Sequence, residues 1–459
     1  MRWLYLIILF LLFISRVSGQ IQRYELGKRM KLLEIELEKN NNPDSRKAAL
    51  DQINKAVQNF FSLQLDKAAA NLDRARLILE GRDQDPRSSW AESLFVDSDA
   101  RLYDSEVRLL KVKLDEFYKV ERSFSDKISW RLSISDTRGK NSKVVYTTNV
   151  QSLPLSCSID IGNLKEGDYL LKSEIIINRK IISTKTILLS FIKSFGEKLA
   201  RWEKLINESK ESSWRRETMR EYLRILKNLS QNKVLEMDIP AFEFLARMER
   251  LNSFLPRQGL LVIPYTPAEA QVSRIFVPED YSDRKAYPLV IALHGAGGSE
   301  NLFFEGYGNG KIVKLCKDRG WILIAPRSFG FSAEKMQNFI DEVAKIYNID
   351  RKNVFIIGHS LGAIQALNIV AEKPALFGAI ALISVGRLQK FSEQMRELPI
   401  FIAAGSADFS LQSSKSLYEF LKQSEVKNLQ FKVYENVEHL TAVQFSLDDA
   451  FKFFDLSLK

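Results

Sequence analysis

The sequence predicts a multidomain chain whose C-terminal half is an α/β domain, a mostly parallel sheet flanked by helices. Three observations support this fold class. The chain has 459 residues, more than one hydrophobic core usually supports. From residue 256 onward, short β-branched apolar runs alternate with helical patterns, which indicates crossover connections between parallel strands. Before residue 256, helical periodicity surrounds a stretch with a period of two, so we expect helical segments and a small β-sandwich-like module there.

The first 19 residues have the three parts of a signal peptide. Arg2 precedes an apolar run from Trp3 to Ile14, and the small residues that end the segment favour cleavage before Gln20. The run of about a dozen apolar residues is shorter than the roughly 20 that span a bilayer, which argues against the alternative of an uncleaved anchor. We therefore expect an exported protein, periplasmic or extracellular, without a stable membrane anchor.

Three regions are predicted between the signal peptide and the α/β domain. Residues 20–105 have helical periodicity. Residues 106–192 contain several short alternating stretches with turn residues between them, which is typical of an immunoglobulin-like β-sandwich in the loose sense. Residues 193–255 return to helical spacing, and the α/β domain follows as residues 256–459.

Charge is concentrated in the front half of the chain. The net charge is +10, and residues 256–459 hold 23 Lys and Arg against 22 Asp and Glu, which leaves +9 for the first 255 residues. This front half could contact anionic polymer, lipid or cell-wall material, or could consist of solvated helix faces whose lysines outnumber their acids. We expect no nucleic-acid partner, and the oligomeric state stays open.

The few potential metal ligands and thiols indicate no cofactor. Cys157 and Cys316 fall in different predicted domains without a neighbouring Cys-His cluster, so we interpret both as small buried hydrophobes. The three histidines are far apart and none belongs to a His-x-x-x-His pattern, so no metal site is predicted.

The most informative stretch runs from Val354 to Ala363. An apolar strand pattern ends at Gly358, Ser360 follows, and Gly362 opens a helical pattern. This is the G-x-S-x-G nucleophile elbow in its expected strand-turn-helix setting, in which a side chain at either glycine would collide with neighbouring backbone. Ser360 is therefore the candidate nucleophile.

Each of the three histidines lies at a position that serine-hydrolase chemistry would use. His359 lies within the elbow, His294 opens a glycine-rich segment after a predicted strand, and His439 follows Glu438 near the C-terminus. Asp408 follows another predicted strand, between serine and histidine in chain order. This order of serine, acid and histidine is the one that a G-x-S-x-G elbow requires.

From about Ser273 to its end, the chain resembles the α/β-hydrolase superfamily, in particular secreted esterase and depolymerase-like members. The resemblance implies that His439 takes the proton of Ser360 while Asp408 orients the imidazole. It also implies that the backbone amides of Leu361 and Ala296 stabilise an oxyanion. The motif-shaping residues would be His294, Gly295, Gly297, Gly298, Gly358, His359 and Gly362.

Some assignments have alternatives. Ser360 could be an ordinary turn serine and His439 a surface histidine. Phe409-Ser410-Leu411 departs from the Val-Pro-like ending that often follows the acid in this superfamily, and Glu435 or Asp448 could replace Asp408. The aromatic residues of the 301–309 segment could line a pocket for an acyl or phenolic group, or could pack under a loop; they are Phe303, Phe304 and Tyr307.

The sequence thus predicts an exported serine hydrolase that cleaves carboxylic esters through an acyl-enzyme. Acylated polysaccharide or polyester is the expected substrate class. A serine peptidase of the prolyl-oligopeptidase kind and an inactive binding or scaffold protein on a hydrolase fold are the alternatives.

Overall fold

The computed structural model describes residues 17–459, except 163, 209–212, 252, 267, 328–329 and 387–390. The predicted signal peptide therefore lies outside the described residues except for its last three positions, which begin the first helix. No described helix combines the length and the apolar character needed to cross a membrane. The described chain divides into an N-terminal unit, residues 17–208 and 222–250, and a C-terminal unit, residues 213–221 and 251–459.

The N-terminal unit begins with four helices. They are α1 (Val17–Lys39), α2 (Pro43–Phe61), α3 (Leu65–Leu79) and α4 (Pro86–Ser93). The side chains of Asn42 and Asp85 cap α2 and α4 by accepting backbone amides of the first turn, and a proline follows each cap. Small and aliphatic residues of α1, α2 and α3 form a common core.

Eight strands follow and form two sheets. They are β1 (Leu94–Ser98), β2 (Leu102–Asp104), β3 (Leu109–Glu116), β4 (Ile128–Asp136), β5 (Lys143–Asn149), β6 (Leu155–Asp160), β7 (Gly167–Ile177) and β8 (Lys180–Ile192). The strand orders are β1-β3-β6 and β2-β8-β7-β4-β5. All strand pairs are antiparallel except β2 with β8. Inward side chains of both sheets, such as Val112 and Trp130, share one hydrophobic core.

The helical region ends earlier than predicted. The sequence prediction of helical structure to residue 105 was wrong after Ser93, because Leu94–Ser98 pairs in antiparallel register with β3. Its side chains alternate between buried and half-buried, as expected of a strand that covers a core.

Three helices complete this part of the chain: α5 (Phe195–Glu208), α6 (Trp214–Ser230) and α7 (Ala241–Arg250). The first residues of α6 group with the C-terminal unit, whereas α5, the rest of α6 and α7 group with the sheets. The regions 20–105, 106–192 and 193–255, which the sequence predicted as separate, are therefore largely parts of one compact unit.

Buried ion pairs join helices of the N-terminal unit to one another and to strand β8. Glu92 of α4 lies 2.7 Å from the guanidinium of Arg76 on α3 and 2.6 Å from the ammonium of Lys185 on β8. Arg29 of α1 pairs with Asp73 of α3 at 2.8 Å. All five side chains are less than 10% exposed. Charges buried in this way are tolerated only when they are paired, so these contacts restrict how the helices can lie on β8.

The C-terminal unit contains an eight-stranded mixed sheet. Its strands are β9 (Gln258–Pro264), β10 (Ala270–Phe276), β11 (Tyr287–Leu293), β12 (Ile322–Pro326), β13 (Ile349–His359), β14 (Ala379–Ile383), β15 (Ile400–Gly405) and β16 (Leu429–Tyr434). The order is β16-β15-β14-β13-β11-β12-β10-β9. Strand β10 pairs antiparallel with both β9 and β12, and all other pairs are parallel. The prediction of a mostly parallel sheet is confirmed; β9 was not predicted as a strand.

Helices cover both faces of this sheet. They are α8 (Leu302–Glu305), α9 (Tyr307–Arg319), α10 (Ala333–Ile346), α11 (Leu361–Glu372), α12 (Leu411–Gln423) and α13 (Ala442–Leu456), with short 3₁₀ turns at Pro374–Leu376 and Glu393–Glu397. Helices α10, α11 and α12 contribute to the core on one face, and α9 and α13 to the core on the other. Because β13, β14 and β15 are parallel neighbours, the loops that follow them meet at one edge of the sheet.

We predict that Glu92→Ala destabilises the N-terminal unit by about 3–5 kcal/mol, because it leaves Arg76 and Lys185 buried without their carboxylate. Burial alone would raise the pKa of Glu92, but Lys185 and Arg76 lower it to about 2. The stabilisation is therefore complete above about pH 4.3, the ordinary glutamate value, and is lost as the pH falls through about 2.

Urea unfolding read by hydrogen exchange of peptides from α3, α4 and β8 measures this loss. Asp51→Ala is the control, because Asp51 forms an exposed ion pair with Lys55 in the same unit. Equal stability of the two variants would contradict the role given to Glu92.

Candidate active site

Ser360 lies at a sharp turn between β13 and α11. Its backbone has φ 53° and ψ −116°, a conformation that non-glycine residues rarely adopt, and its amide donates to the Ile383 carbonyl at 2.9 Å. A β-carbon on Gly358 would lie 2.5 Å from the Gly362 carbonyl oxygen, and one on Gly362 would lie 2.1 Å from the Leu293 carbonyl oxygen. Both positions therefore require glycine, and the turn raises the Ser360 side chain above the sheet edge.

Two other predicted residues lie beside Ser360. His439 Nε2 is 2.8 Å from Ser360 Oγ, and His439 Nδ1 is 2.9 Å from Asp408 Oδ1. An ionised carboxylate only accepts hydrogen bonds, so Nδ1 carries the proton and the Nε2 lone pair faces the serine hydroxyl. His439 and Asp408 are buried, whereas Ser360 is half-buried. This arrangement allows a proton to pass from the serine to the imidazole.

Asp408 is held by donors other than the histidine. Ser384 Oγ donates to Oδ2, and both the amide and the hydroxyl of Ser410 donate to Oδ1 at 2.8 Å. Burial alone would raise the pKa of Asp408, but the hydrogen bonds from His439, Ser384 and Ser410 lower it to about 2. The carboxylate is therefore ionised at neutral pH.

Neither Ser384 nor Ser410 is among the site residues predicted from the sequence. Ser384 is the residue after β14. Ser410 lies two positions after Asp408, where a backbone amide commonly donates to an aspartate side chain. The departure of Ser410 from the Val-Pro-like ending was the available signal for its role. The alternative acids lie elsewhere: Asp448 pairs with Lys311, and Glu435 is exposed.

Glu438 shapes the turn that carries His439. Its fully buried carboxylate accepts the amides of Leu440 and Thr441 at 2.7 and 2.8 Å. Burial raises the pKa of Glu438 above its ordinary value. These two hydrogen bonds fix the backbone on the C-terminal side of the histidine.

The glycine-rich segment after β11 approaches the same edge. His294 is buried, and its Nε2 lies 2.9 Å from the Arg327 carbonyl oxygen. Gly297 has a left-handed φ of 78°, and a β-carbon on Gly298 would lie 2.8 Å from His294 Nδ1. Among the described residues, the amide of Ala296 has no hydrogen-bond acceptor, and the same holds for the amide of Leu361 at the start of α11.

The aromatic residues near the site differ in their burial. Phe303 and Tyr307 are buried in the core beneath the 301–309 segment, and the Phe304 ring packs against the Arg274 guanidinium at 4.8 Å. Of the two interpretations of these aromatic side chains, packing under a loop is the one that fits the burial of Phe303 and Tyr307. Phe409, in contrast, is 66% exposed and stacks on the His439 ring with centroids 4.1 Å apart.

Neither cysteine belongs to the site, and the described residues contain no group of three or more His, Cys, Asp or Glu able to hold a metal ion. Burial raises the pKa of Cys157 to about 11 and that of Cys316 further. Both thiols are therefore protonated at neutral pH.

The mixed sheet, the strained serine turn and the serine–histidine–aspartate array define an α/β hydrolase. The phospholipase/carboxylesterase family matches residues 327–458. The putative hydrolase MhqD of Bacillus subtilis (strain 168) is 30% identical over 158 residues, which cover 30% of this chain and 78% of that protein. The chain therefore belongs, through its C-terminal region, to the phospholipase/carboxylesterase family of the α/β-hydrolase superfamily.

Two further similarities are weaker. The bifunctional acetylxylan esterase/xylanase XynS20E of Neocallimastix patriciarum is 28% identical over 131 residues, 26% of this chain and 19% of that protein. The chain thus spans about a fifth of that relative's length. A crystal structure of a thermostable esterase is 14% identical with a TM-score of 0.40, over 80% of this chain and 98% of that one.

We predict that Gly362→Ala lowers the free energy of unfolding by about 1–3 kcal/mol, because the alanine β-carbon would overlap the Leu293 carbonyl. The melting temperature should fall accordingly. Helix propensity alone predicts the opposite sign, since alanine is the better helix former within α11.

Gly196→Ala is the matched control. Gly196 lies within α5, where a β-carbon would meet no atom within 4 Å, so this substitution is expected to stabilise slightly. Calorimetry of the two variants decides the question, and a stabilising Gly362→Ala would show that the turn tolerates a side chain.

Proposed function

We propose that this protein is a serine hydrolase that cleaves carboxylic esters through an acyl-enzyme. The observation that carries the proposal is the continuous hydrogen-bonded array from Ser360 Oγ through His439 to Asp408. Membership of the phospholipase/carboxylesterase family supports the same chemistry.

The array suggests the following sequence of steps. Ser360 Oγ attacks the ester carbonyl carbon while its proton passes to His439 Nε2. The amides of Leu361 and Ala296 stabilise the resulting oxyanion. One such donor typically lowers the activation free energy by about 3 kcal/mol. The tetrahedral intermediate then collapses, the alcohol leaves with the proton from His439, and a water molecule activated by the same imidazole releases the acid and restores the serine.

Asp408 supports these steps electrostatically. Its carboxylate is ionised at neutral pH and holds His439 in the tautomer that accepts the serine proton. It also stabilises the positive charge that the imidazole gains during each half-reaction. Ser384 and Ser410 keep the carboxylate in place by donating to both of its oxygens.

We further propose that the substrate is an acylated polysaccharide or a polyester. A relative with similarity in this region is named as an acetylxylan esterase/xylanase. The proposed signal peptide would bring the enzyme to such polymers in a periplasmic or extracellular location. The two sheets that share a core in the N-terminal unit suit the proposed β-sandwich-like accessory module.

Labelling with a fluorophosphonate probe, followed by hydrolysis of short p-nitrophenyl esters and a matched anilide, tests the function. We expect the wild type to label and to hydrolyse esters, and Ser360→Ala to do neither. Ser446→Ala should behave as wild type, because the Ser446 hydroxyl donates to a carbonyl of its own helix, α13.

Faster anilide than ester cleavage would favour the peptidase alternative. A folded wild type that neither labels nor turns over either substrate would favour the inactive scaffold and would overturn the proposal.

Asp408→Asn should lower kcat by about 10³–10⁴-fold, because an amide can hold the imidazole in the unproductive tautomer.

Asp448→Asn is the matched control and should leave kcat unchanged. Asp448 is half-exposed and pairs with Lys311. Loss of activity in Asp448→Asn, with Asp408→Asn active, would reassign the acid.

A further inference from the structure

His359, the residue before the candidate nucleophile, makes two buried hydrogen bonds. Its Nε2 is 2.9 Å from the carbonyl oxygen of His439, and its Nδ1 is 2.6 Å from the hydroxyl of Tyr307. A carbonyl oxygen only accepts, so Nε2 carries the proton. Burial and the neighbouring His439 lower the pKa of His359 to about 3, so the ring is neutral near neutral pH. Nδ1 is therefore an acceptor, and the Tyr307 hydroxyl donates to it.

The Tyr307 oxygen has a second contact. It accepts the backbone amide of Gly295 at 3.3 Å. The hydrogen bonds consequently run in one direction, from Gly295 through Tyr307 and the His359 ring to the His439 carbonyl. This chain joins the segment that precedes Ala296 to the backbone of the catalytic histidine.

The local backbone is strained where Tyr307 is placed. Tyr307 has φ 42°, and the next three residues also have left-handed φ values of 71°, 56° and 72°. Tyr307 and Asn309 have left-handed backbone conformations although neither is glycine. Such a conformation costs energy and persists only where the surrounding structure imposes it. A β-carbon on Gly310 would lie 2.2 Å from the Phe304 carbonyl oxygen, so the segment could not hold a larger residue there.

Gly295, which begins this chain of hydrogen bonds, is equally restricted. A β-carbon on Gly295 would lie 2.8 Å from His359 Nδ1, so the ring reaches Tyr307 only because this residue has no side chain. Gly295 and His359, both predicted as motif-shaping residues, therefore also depend on each other: the imidazole occupies the space that a side chain at position 295 would fill.

We propose that Tyr307 and His359 are positioning residues that hold the proposed oxyanion segment and the base in fixed relation to Ser360. His359 is central because its backbone leads directly into Ser360, while its side chain supports His439 and, through Tyr307, Gly295. Neither side chain contacts the reacting atoms in this arrangement. The inference rests on the proposed function and adds two residues to it.

Kinetics test the proposal. Tyr307→Phe removes only the hydroxyl and should lower kcat for a short p-nitrophenyl ester by about tenfold, the effect of one neutral hydrogen bond, with KM unchanged. His359→Leu should lower kcat further, and His359→Gln should recover part of the loss, because its amide can still donate to the His439 carbonyl. The double variant Tyr307→Phe/His359→Leu should be no worse than His359→Leu, since both residues act through one chain.

Tyr347→Phe is the matched control. Tyr347 is a buried tyrosine of the same unit whose hydroxyl donates to the Pro256 carbonyl at 2.6 Å, and it lies in the core away from the site. It should lower stability without changing kcat well below the melting temperature. A Tyr307→Phe variant that matches Tyr347→Phe in kcat, while Ser360→Ala abolishes turnover, would overturn the positioning role and leave the proposed function intact.

Nitrogen-15 NMR of the histidines gives a readout independent of turnover, and the chain contains only three histidines to assign. His359 should remain in the Nε2–H tautomer from pH 5 to pH 8, about the range in which an ordinary histidine titrates. Its Nδ1 shift should change in Tyr307→Phe. A titrating His359, or an Nδ1–H tautomer, would overturn the hydrogen-bonded chain even if the wild type proves inactive on esters.

Discussion

A buried, charge-assisted hydrogen bond between Asp408 and His439 is the interaction on which the site depends. Burial alone would raise the pKa of the Asp408 carboxyl, whereas the histidine needs the ionised form for its tautomer and its counter-charge. His439, Ser384 and Ser410 together lower this pKa to about 2 by donating to the carboxylate oxygens. The reactivity proposed for Ser360 thus depends on buried residues that hold Asp408.

The parallel sheet converts distant sequence positions into one site. β13, β14 and β15 are neighbours in the sheet, and the loops after them supply Ser360, Ser384 and Asp408. The chain beyond β16 supplies His439, which Glu438 fixes through the amides of the following turn. These strands are buried on both faces, and a site built on buried strands is held more precisely than one built on loops alone.

The features predictable from sequence are those with a local signature. Gly358 and Gly362 flank Ser360 because the strained turn excludes side chains, and that requirement is visible in five residues. Asp408 and His439 followed from chain order. Ser384 and Tyr307 carry no comparable pattern, since their roles arise from contacts with residues 24 and 52 positions away. The extent of the N-terminal unit was also hidden, because Glu92 and Lys185 meet across 93 positions.

The most direct test of the central claim is mass spectrometry of protein quenched in acid during turnover of a p-nitrophenyl ester. Nucleophilic catalysis predicts one acyl group on the peptide that contains Ser360, and its amount should match the burst of p-nitrophenol. Turnover without an acylated peptide, or an acyl group on a residue other than Ser360, would contradict the account.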